Sequence, residues 1–207
     1  LGSLSRFLPV GFYYKAFYNK QLFPMWERLF RYLTGLGKVD FATPHIRTPK
    51  RYDFCDVLII GAGPSGLSAA LSAASQGAEV VIVDENARLG GSGSYAGLSD
   101  TQQRDALYQL RAQVEAEARI RVFTNTYAAG YYTDHWIPLV EPERMTKMRA
   151  KAVVVASGAY EQPAVFRYND LPGIMLASAA QRLLYRYAVK PMNNAVILVA
   201  NSDGYQA

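Results

Sequence analysis

The chain of 207 residues predicts an α/β fold, a parallel sheet wound right-handedly, preceded by an N-terminal arm of different character. Three observations carry the prediction. Short, near-continuous apolar runs at 55–60, 80–83 and 152–156 have the texture of strands buried on both faces. Helix-like segments alternate with them, and strand–helix–strand alternation with short loops gives parallel sheets with right-handed crossovers. A glycine-rich hexapeptide joins the first run to the first of those helices.

The elements follow in order. Leu22, Trp26, Leu29, Phe30 and Leu33 fall at helical spacing and stop before Gly35 and Gly37, which predicts a helix near 20–34. Residues 38–52 carry Pro44, Pro49 and several charges without periodicity, the composition of an extended linker. The arm and linker are therefore expected over 1–52 and the α/β domain over 53–207. Cys55-Asp56-Val57-Leu58-Ile59-Ile60 reads as the first strand and Val80–Val83 as the second; between them Leu67–Gln76 is a small-residue helix closed by Gly77. After the Gly/Ser-rich stretch 90–97, Asp100 is placed to cap a helix running to about Arg119, with Gln103 at capping-box spacing. Ile120–Thr126 alternates like a strand, and 127–150 reads as irregular or hairpin structure around Gly130, Asp134, Pro138 and Pro142. A buried strand at Ala152–Ala156, a helix at Gly173–Ala188 and a last apolar strand at Ala195–Ala200 complete the series.

Composition narrows the function classes. Half the residues are hydrophobic and 19% are charged, a globular balance. The single cysteine, Cys55, excludes a disulfide framework or a C-x-x-C pair within the chain. His45 and His135 stand far apart with no second ligand at metal spacing, so no metal is expected. The apolar stretch 57–74 is interrupted by Gly61, Gly63, Pro64 and Gly66, which excludes a membrane-spanning helix, and a reducing, cytoplasmic setting fits. The net charge of +5 sits in the arm, where eight Lys and Arg face only Glu27 and Asp40 over residues 1–50. The same stretch holds 11 aromatics, among them Phe12, Tyr13, Tyr14, Phe17, Tyr18 and Trp26. Basic and aromatic residues together suit single-stranded nucleic acid or a protein interface; without any nucleic-acid-binding pattern beside them, a protein contact is expected.

Chemistry is concentrated in Gly61-Ala62-Gly63-Pro64-Ser65-Gly66, a G-x-G-x-x-G between a strand and a helix. The first glycine permits the tight turn, the second leaves room for a pyrophosphate, and the third lets helix and strand approach closely. The helix N-terminus adds free amides and the positive end of its dipole. Asp84 ends the second strand, where a carboxylate can accept both ribose hydroxyls, with Glu85 directly after it. Acids there repel a 2′-phosphate, which favours NAD or FAD over NADP. A solvated acidic pair at a strand end is the plain alternative.

Two further patches resemble the FAD/NAD(P)-binding superfamily. Leu89-Gly90-Gly91-Ser92 stands where its members return a glycine turn to the phosphates. Ala156-Ser157-Gly158, with Pro163 five positions later, resembles their A-T-G-x-x-x-x-P element. The resemblance implies a Rossmann-like three-layer fold with a β-meander crossover. A second fingerprint is absent, since Asn201-Ser202-Asp203-Gly204 has side chains where glycines are needed, so one dinucleotide site is expected.

Phe12-Tyr13-Tyr14-Lys15, the Gly61 loop, Asp84-Glu85 and Asn169-Asp170-Leu171-Pro172-Gly173-Ile174-Met175-Leu176-Ala177-Ser178-Ala179 are similar to the alpha subunit of heterotetrameric sarcosine oxidase. Its relatives include N-methylglutamate dehydrogenase and dye-linked amine and proline dehydrogenases. The resemblance implies an internal fragment of an oxidoreductase subunit that holds NAD, with FAD as the alternative; FAD and FMN are bound elsewhere in a complex with beta, gamma and delta subunits. Sarcosine is oxidatively demethylated to glycine in that family, the one-carbon unit passes to tetrahydrofolate at a further C-terminal domain, and O2 reoxidises the flavin. Carried over by position, Gly61, Ala62, Gly63, Pro64, Ser65 and Gly66 contact the pyrophosphate, with Asp84, Glu85 and Asn86 at the adenosine. Gly91 and Ser92 lie near the phosphates, Tyr127 near adenine, and Gly158 of the strand-end element is a further cofactor-binding residue. The family often has a basic residue where Asn86 stands. No catalytic residue is identified: His135, Tyr160 and Glu161 lack a partner at catalytic spacing. A self-contained FAD oxidoreductase and a non-catalytic assembly scaffold are the competing readings.

Overall fold

Val80–Val83, four β-branched residues in succession, are all buried, as a strand covered on both faces requires. In the computed structural model, which describes residues 19–35, 37, 40–44, 47–95 and 101–200, they form one strand of a six-stranded sheet. The chain separates into two units, Leu1–Arg47 and Thr48–Ala207.

In the first unit, helix α1 spans Phe23–Thr34 and ends on Gly35 at φ 70°, the left-handed conformation that glycine adopts without a Cβ clash. Glu27 and Arg31 pair one turn apart at 2.9 Å on its surface. Phe12, Tyr13, Tyr14, Phe17 and Tyr18 lie outside the described residues.

The second unit contains β1 (Lys50–Ile60), α2 (Pro64–Ser75), β2 (Val80–Val83), α3 (Thr101–Ala116), β3 (Ile120–Phe123), β4 (Tyr127–Ala128), β5 (Trp136–Val140), β6 (Met145–Val155) and α4 (Ala177–Tyr187). Strand order is β3-β2-β1-β6-β5-β4. The first four run parallel, with Ile59 opposite Ile82 on one side and Val154 on the other, while β4, β5 and β6 form an antiparallel meander. Two apolar cores separate three layers. Ile59, Val80 and Ile82 pack under α2 and α3 with Leu67, Ala70, Leu107 and Val114. On the other side, Leu58, Val81 and Val83 pack with Ile137, Leu139 and Met148 of the meander. Leu58, Ile59, Leu67 and Ile82 are fully buried, each contributing about 1.5–3 kcal/mol. They anchor the C-terminal end of β1, the strand that has β2 on one side and β6 on the other, where the strand order departs from chain order. Open α/β sheets bind ligands at such a point.

Several expectations are corrected. Helix α2 starts at Pro64 rather than Leu67, because proline suits the first helical position, where no N–H is needed. Strand β1 starts at Lys50, inside the stretch read as linker; Lys50–Cys55 pair with Met145–Ala150, a partner far away in sequence. The alternation at 120–126 breaks after Phe123. By contrast, the hairpin alternative for 127–150 holds: the region contains three antiparallel strands, with Pro138, Lys147 and Arg149 mixed among their apolar residues. Residues 152–155 form strand but are mostly exposed, because the β5 pairing ends at Arg149 and only β1 flanks the rest. Helix α4 begins at Ala177, preceded by turns. Ala195–Ala200 is not a strand: no described strand lies beside it, and Val196 is fully exposed. Asp100, the expected cap of α3, lies outside the described residues.

Candidate functional site: a glycine-loop cradle

The loop after β1 is shaped by what its glycines exclude. Gly61 adopts φ +105°, and a Cβ there would lie 2.3 Å from the Ala156 carbonyl oxygen. That carbonyl belongs to the turn after β6, held in place by the Ala156 N–H donating to the Ile60 carbonyl at 2.8 Å. A Cβ on Gly66 would lie 2.0 Å from the Gly61 oxygen, so α2 rests directly on the loop's backbone. Gly63 differs. Its φ of −72° is open to any residue, and a Cβ there would meet nothing within 4 Å. The space in front of Gly63 is empty, and no side chain caps the first turn of α2. Pro64 has no N–H, which leaves the amides of Ser65 and Gly66 to point out of the helix N-terminus. Free amides, a favourable dipole and open space where a side chain would stand suit a pyrophosphate.

A second loop closes on the first. The Gly90 N–H donates to the Ala62 carbonyl at 2.7 Å, and a Cβ on Gly91 would come 2.9 Å from the Gly63 Cα. Gly91 therefore stands beside the cradle, at the start of a 3₁₀ turn spanning Gly91–Ser94, with Ser92 exposed on it. Gly158 adopts φ +75° two residues after the Ala156 carbonyl that abuts Gly61.

Asp84 is 8% exposed and braces the loop: its Oδ2 accepts the Ala62 N–H at 2.7 Å. Its Oδ1 accepts both the Asn86 backbone N–H at 2.7 Å and the Asn86 side-chain amide at 2.8 Å. Glu85 is exposed beside it. The Thr126 N–H donates to the Asp84 carbonyl at 2.9 Å and the Asn125 N–H to the Asn86 carbonyl at 3.1 Å, which sets exposed Tyr127 next to this corner. The residues proposed for one site thus do gather at one end of the sheet. Sequence reasoning missed the Ala156 carbonyl, which forces glycine at position 61. It also missed Arg182 and Arg186, one turn apart on α4. Arg186 donates to the Asn86 Oδ1 at 2.7 Å, and Arg182 to the hydroxyl of buried Tyr95 at 3.0 Å.

Glu161 and His135, outside the cradle, are engaged structurally, and Tyr160 is exposed. Glu161 accepts the Ser178 N–H at 2.6 Å at the start of α4, and His135 Nδ1 is bonded to the Tyr131 hydroxyl. A cavity of about 390 Å³ lies near the start of β2, lined by Phe54, Cys55, Asp56, Glu79, Arg149 and Lys151. Its charges are paired, with Lys151 2.7 Å from Asp56 and Arg149 3.6 Å from Asp134. Burial pushes the Cys55 thiol up to about 11, so it is no nucleophile there. Among the described residues, no three His, Cys, Asp or Glu side chains are grouped to hold a metal ion, and no helix is long and apolar enough to cross a membrane.

A family model described as FAD dependent oxidoreductase matches residues 56–159, from β1 through the cradle and meander to the Gly158 turn. The chain belongs to that family. The alpha subunit of sarcosine oxidase from Rhizobium meliloti (strain 1021) is 35% identical over 99% of the chain, and that from Corynebacterium sp. (strain P-1) is 35% identical over 84%. The chain spans only 22% and 20% of those two relatives. An opine oxidase subunit of Agrobacterium tumefaciens (strain Ach5) is 30% identical over 70% of the chain and 32% of its own length. The crystal structure of L-proline dehydrogenase from P. horikoshii superposes with a TM-score of 0.62 at 25% identity, covering 72% of this chain and 32% of that one. This likeness agrees with the three-layer FAD/NAD(P)-binding fold of this family member.

Proposed function

We propose that the Gly61–Gly66 cradle binds the pyrophosphate of an adenine dinucleotide, and that the chain is the nucleotide-binding part of an amine-oxidising flavoenzyme subunit. The observation that carries this reading is the open space at Gly63, the N-cap of α2, together with a first helical turn that no side chain caps. Asp84, Glu85 and Asn86 supply the ribose end, Tyr127 the adenine side, and Gly91, Ser92 and Gly158 the rim of the phosphate site. NAD is the proposed occupant, because two acids at the end of β2 disfavour a 2′-phosphate. FAD is the second reading, favoured by the family to which residues 56–159 belong. The residues here bind and orient; none is placed to move a proton at a substrate, so the redox chemistry belongs to flavin, FAD or FMN, held elsewhere in the assembly.

By likeness to the sarcosine oxidase alpha subunits, the proposed complex is a cytoplasmic heterotetramer with beta, gamma and delta subunits. It demethylates sarcosine to glycine, passes the one-carbon unit to tetrahydrofolate and returns electrons to O2. N-methylglutamate or another secondary amine is the alternative substrate. Denaturing the purified full-length protein and identifying the released nucleotide tests the reading. One equivalent of NAD supports it, one of FAD moves it to the second reading, and none leaves an assembly scaffold. Asp84→Ala probes the ribose end. It removes the acceptor of the Ala62 N–H and is expected to abolish occupancy, and unchanged occupancy would contradict the ribose assignment.

A further inference from the structure

Helix α4 buries none of its residues fully, with Ala177, Ala179, Ala180 and Leu183 only half-buried, so apolar packing alone holds it weakly. It is held by polar tethers instead: Glu161 on the Ser178 N–H at 2.6 Å, Arg182 on Tyr95 at 3.0 Å and Arg186 on Asn86 at 2.7 Å. The last tether continues into the site. Arg186 holds the Asn86 carbonyl oxygen, the Asn86 amide donates to Asp84 Oδ1, and Asp84 Oδ2 holds the Ala62 N–H of the glycine loop. A carboxylate has about four acceptor positions, and three of those on Asp84 are taken. A ribose 2′,3′-diol donates two hydrogen bonds, so one present donor must leave. The backbone N–H groups of Ala62 and Asn86 are fixed by the chain, and the Asn86 side-chain amide is free to rotate. Its rotation swings the carbonyl oxygen that Arg186 holds.

We propose that Arg186 is a positioning residue of the ribose subsite, and that ribose binding at Asp84 and docking of α4 through Arg186 compete for the Asn86 carboxamide. An occupied site thereby loosens α4, and the state of the dinucleotide site is passed to the surface that carries Leu184, Tyr185 and Tyr187, all exposed on this helix. The inference rests on the dinucleotide reading of the cradle.

The test uses the full-length protein freed of resident nucleotide, with ADP-ribose as probe and hydrogen exchange read over 177–187. Addition of ADP-ribose is expected to speed exchange in α4, and the 2′,3′-dideoxyribose analogue to leave it unchanged. Arg186→Ala, which releases the tether in advance, is expected to tighten ADP-ribose binding about fivefold. That gain should vanish in an Asn86→Ala background, a result that a merely structural role for Arg186 would not produce. Binding that leaves α4 exchange unchanged or slower, or weaker binding by Arg186→Ala, would overturn the coupling alone. No binding of ADP-ribose to the unmodified protein would overturn the dinucleotide reading and the coupling with it.

Discussion

Replacing Gly63 by alanine separates the cradle's fold from its ligand. The backbone at Gly63, φ −72° and ψ 178°, is accessible to alanine, and the added Cβ meets no protein atom within 4 Å. Two small effects on stability oppose each other. Alanine restricts the unfolded chain, which stabilises by about 0.4–1 kcal/mol, whereas it is a poorer helix N-cap than glycine by a similar amount. Net stability should therefore change by less than about 1 kcal/mol. Ligand binding has no such cancellation. In the proposed placement, phosphate oxygens bonded to the Ser65 and Gly66 amides at about 2.9 Å take the space that the methyl group would fill. Weakening two hydrogen bonds to a charged group by about 1.5 kcal/mol each raises Kd roughly 150-fold. Thermal unfolding and dinucleotide titration on the same Gly63→Ala sample measure both quantities. Binding within threefold of the unmodified protein would refute the placement of the pyrophosphate.

Gly66→Ala should behave oppositely. Its Cβ would lie 2.0 Å from a backbone oxygen that cannot rotate away, so α2 must shift; a loss of about 1–3 kcal/mol, seen in denaturant unfolding, outweighs alanine's helix propensity. Asp53 governs part of the acid limb. Burial pushes its carboxyl up, but hydrogen bonds from Arg121 and Arg51 and from the Phe54 amide prevail and hold it at about 2, against 3.8 normally. A folded-state value below the unfolded one means stability that is present above about pH 4 and lost as pH falls toward 2. Allowing for solvent screening, Asp53→Asn should flatten that limb by about 0.5–1 kcal/mol in unfolding measured at pH 5 and pH 3. Cys55, 7% exposed with its thiol raised to about 11, should react with a disulfide reagent at pH 8 about a hundredfold more slowly than in the unfolded chain. Equal rates would place the thiol outside the core.

Legibility from sequence followed how local each determinant is. Val80–Val83 and the Gly61–Gly66 loop were readable because their apolar run and glycine spacing fall within a few residues. The loop's fit to β6 was not, since Gly61 is forced by Ala156, which approaches only through the β1–β6 pairing. The role of Asp84 was half visible. A carboxylate at the end of β2 suggested ribose, while its bracing of the Ala62 N–H depends on tertiary approach. Arg186 and Asn86, 100 residues apart, carry no signal linking them until α4 is placed. The apolar stretches 152–156 and 195–200 misled for a related reason. Hydrophobicity records that a segment is suited to burial, not what buries it, and among the described residues those stretches remain largely open to solvent.

A structure of the full-length protein with its dinucleotide bound tests the central claim most directly. Pyrophosphate oxygens are expected at about 2.7–3.1 Å from the Ser65 and Gly66 amides, with the ribose hydroxyls on Asp84. A dinucleotide bound away from Gly63, or a cradle still empty at saturating dinucleotide, would contradict it.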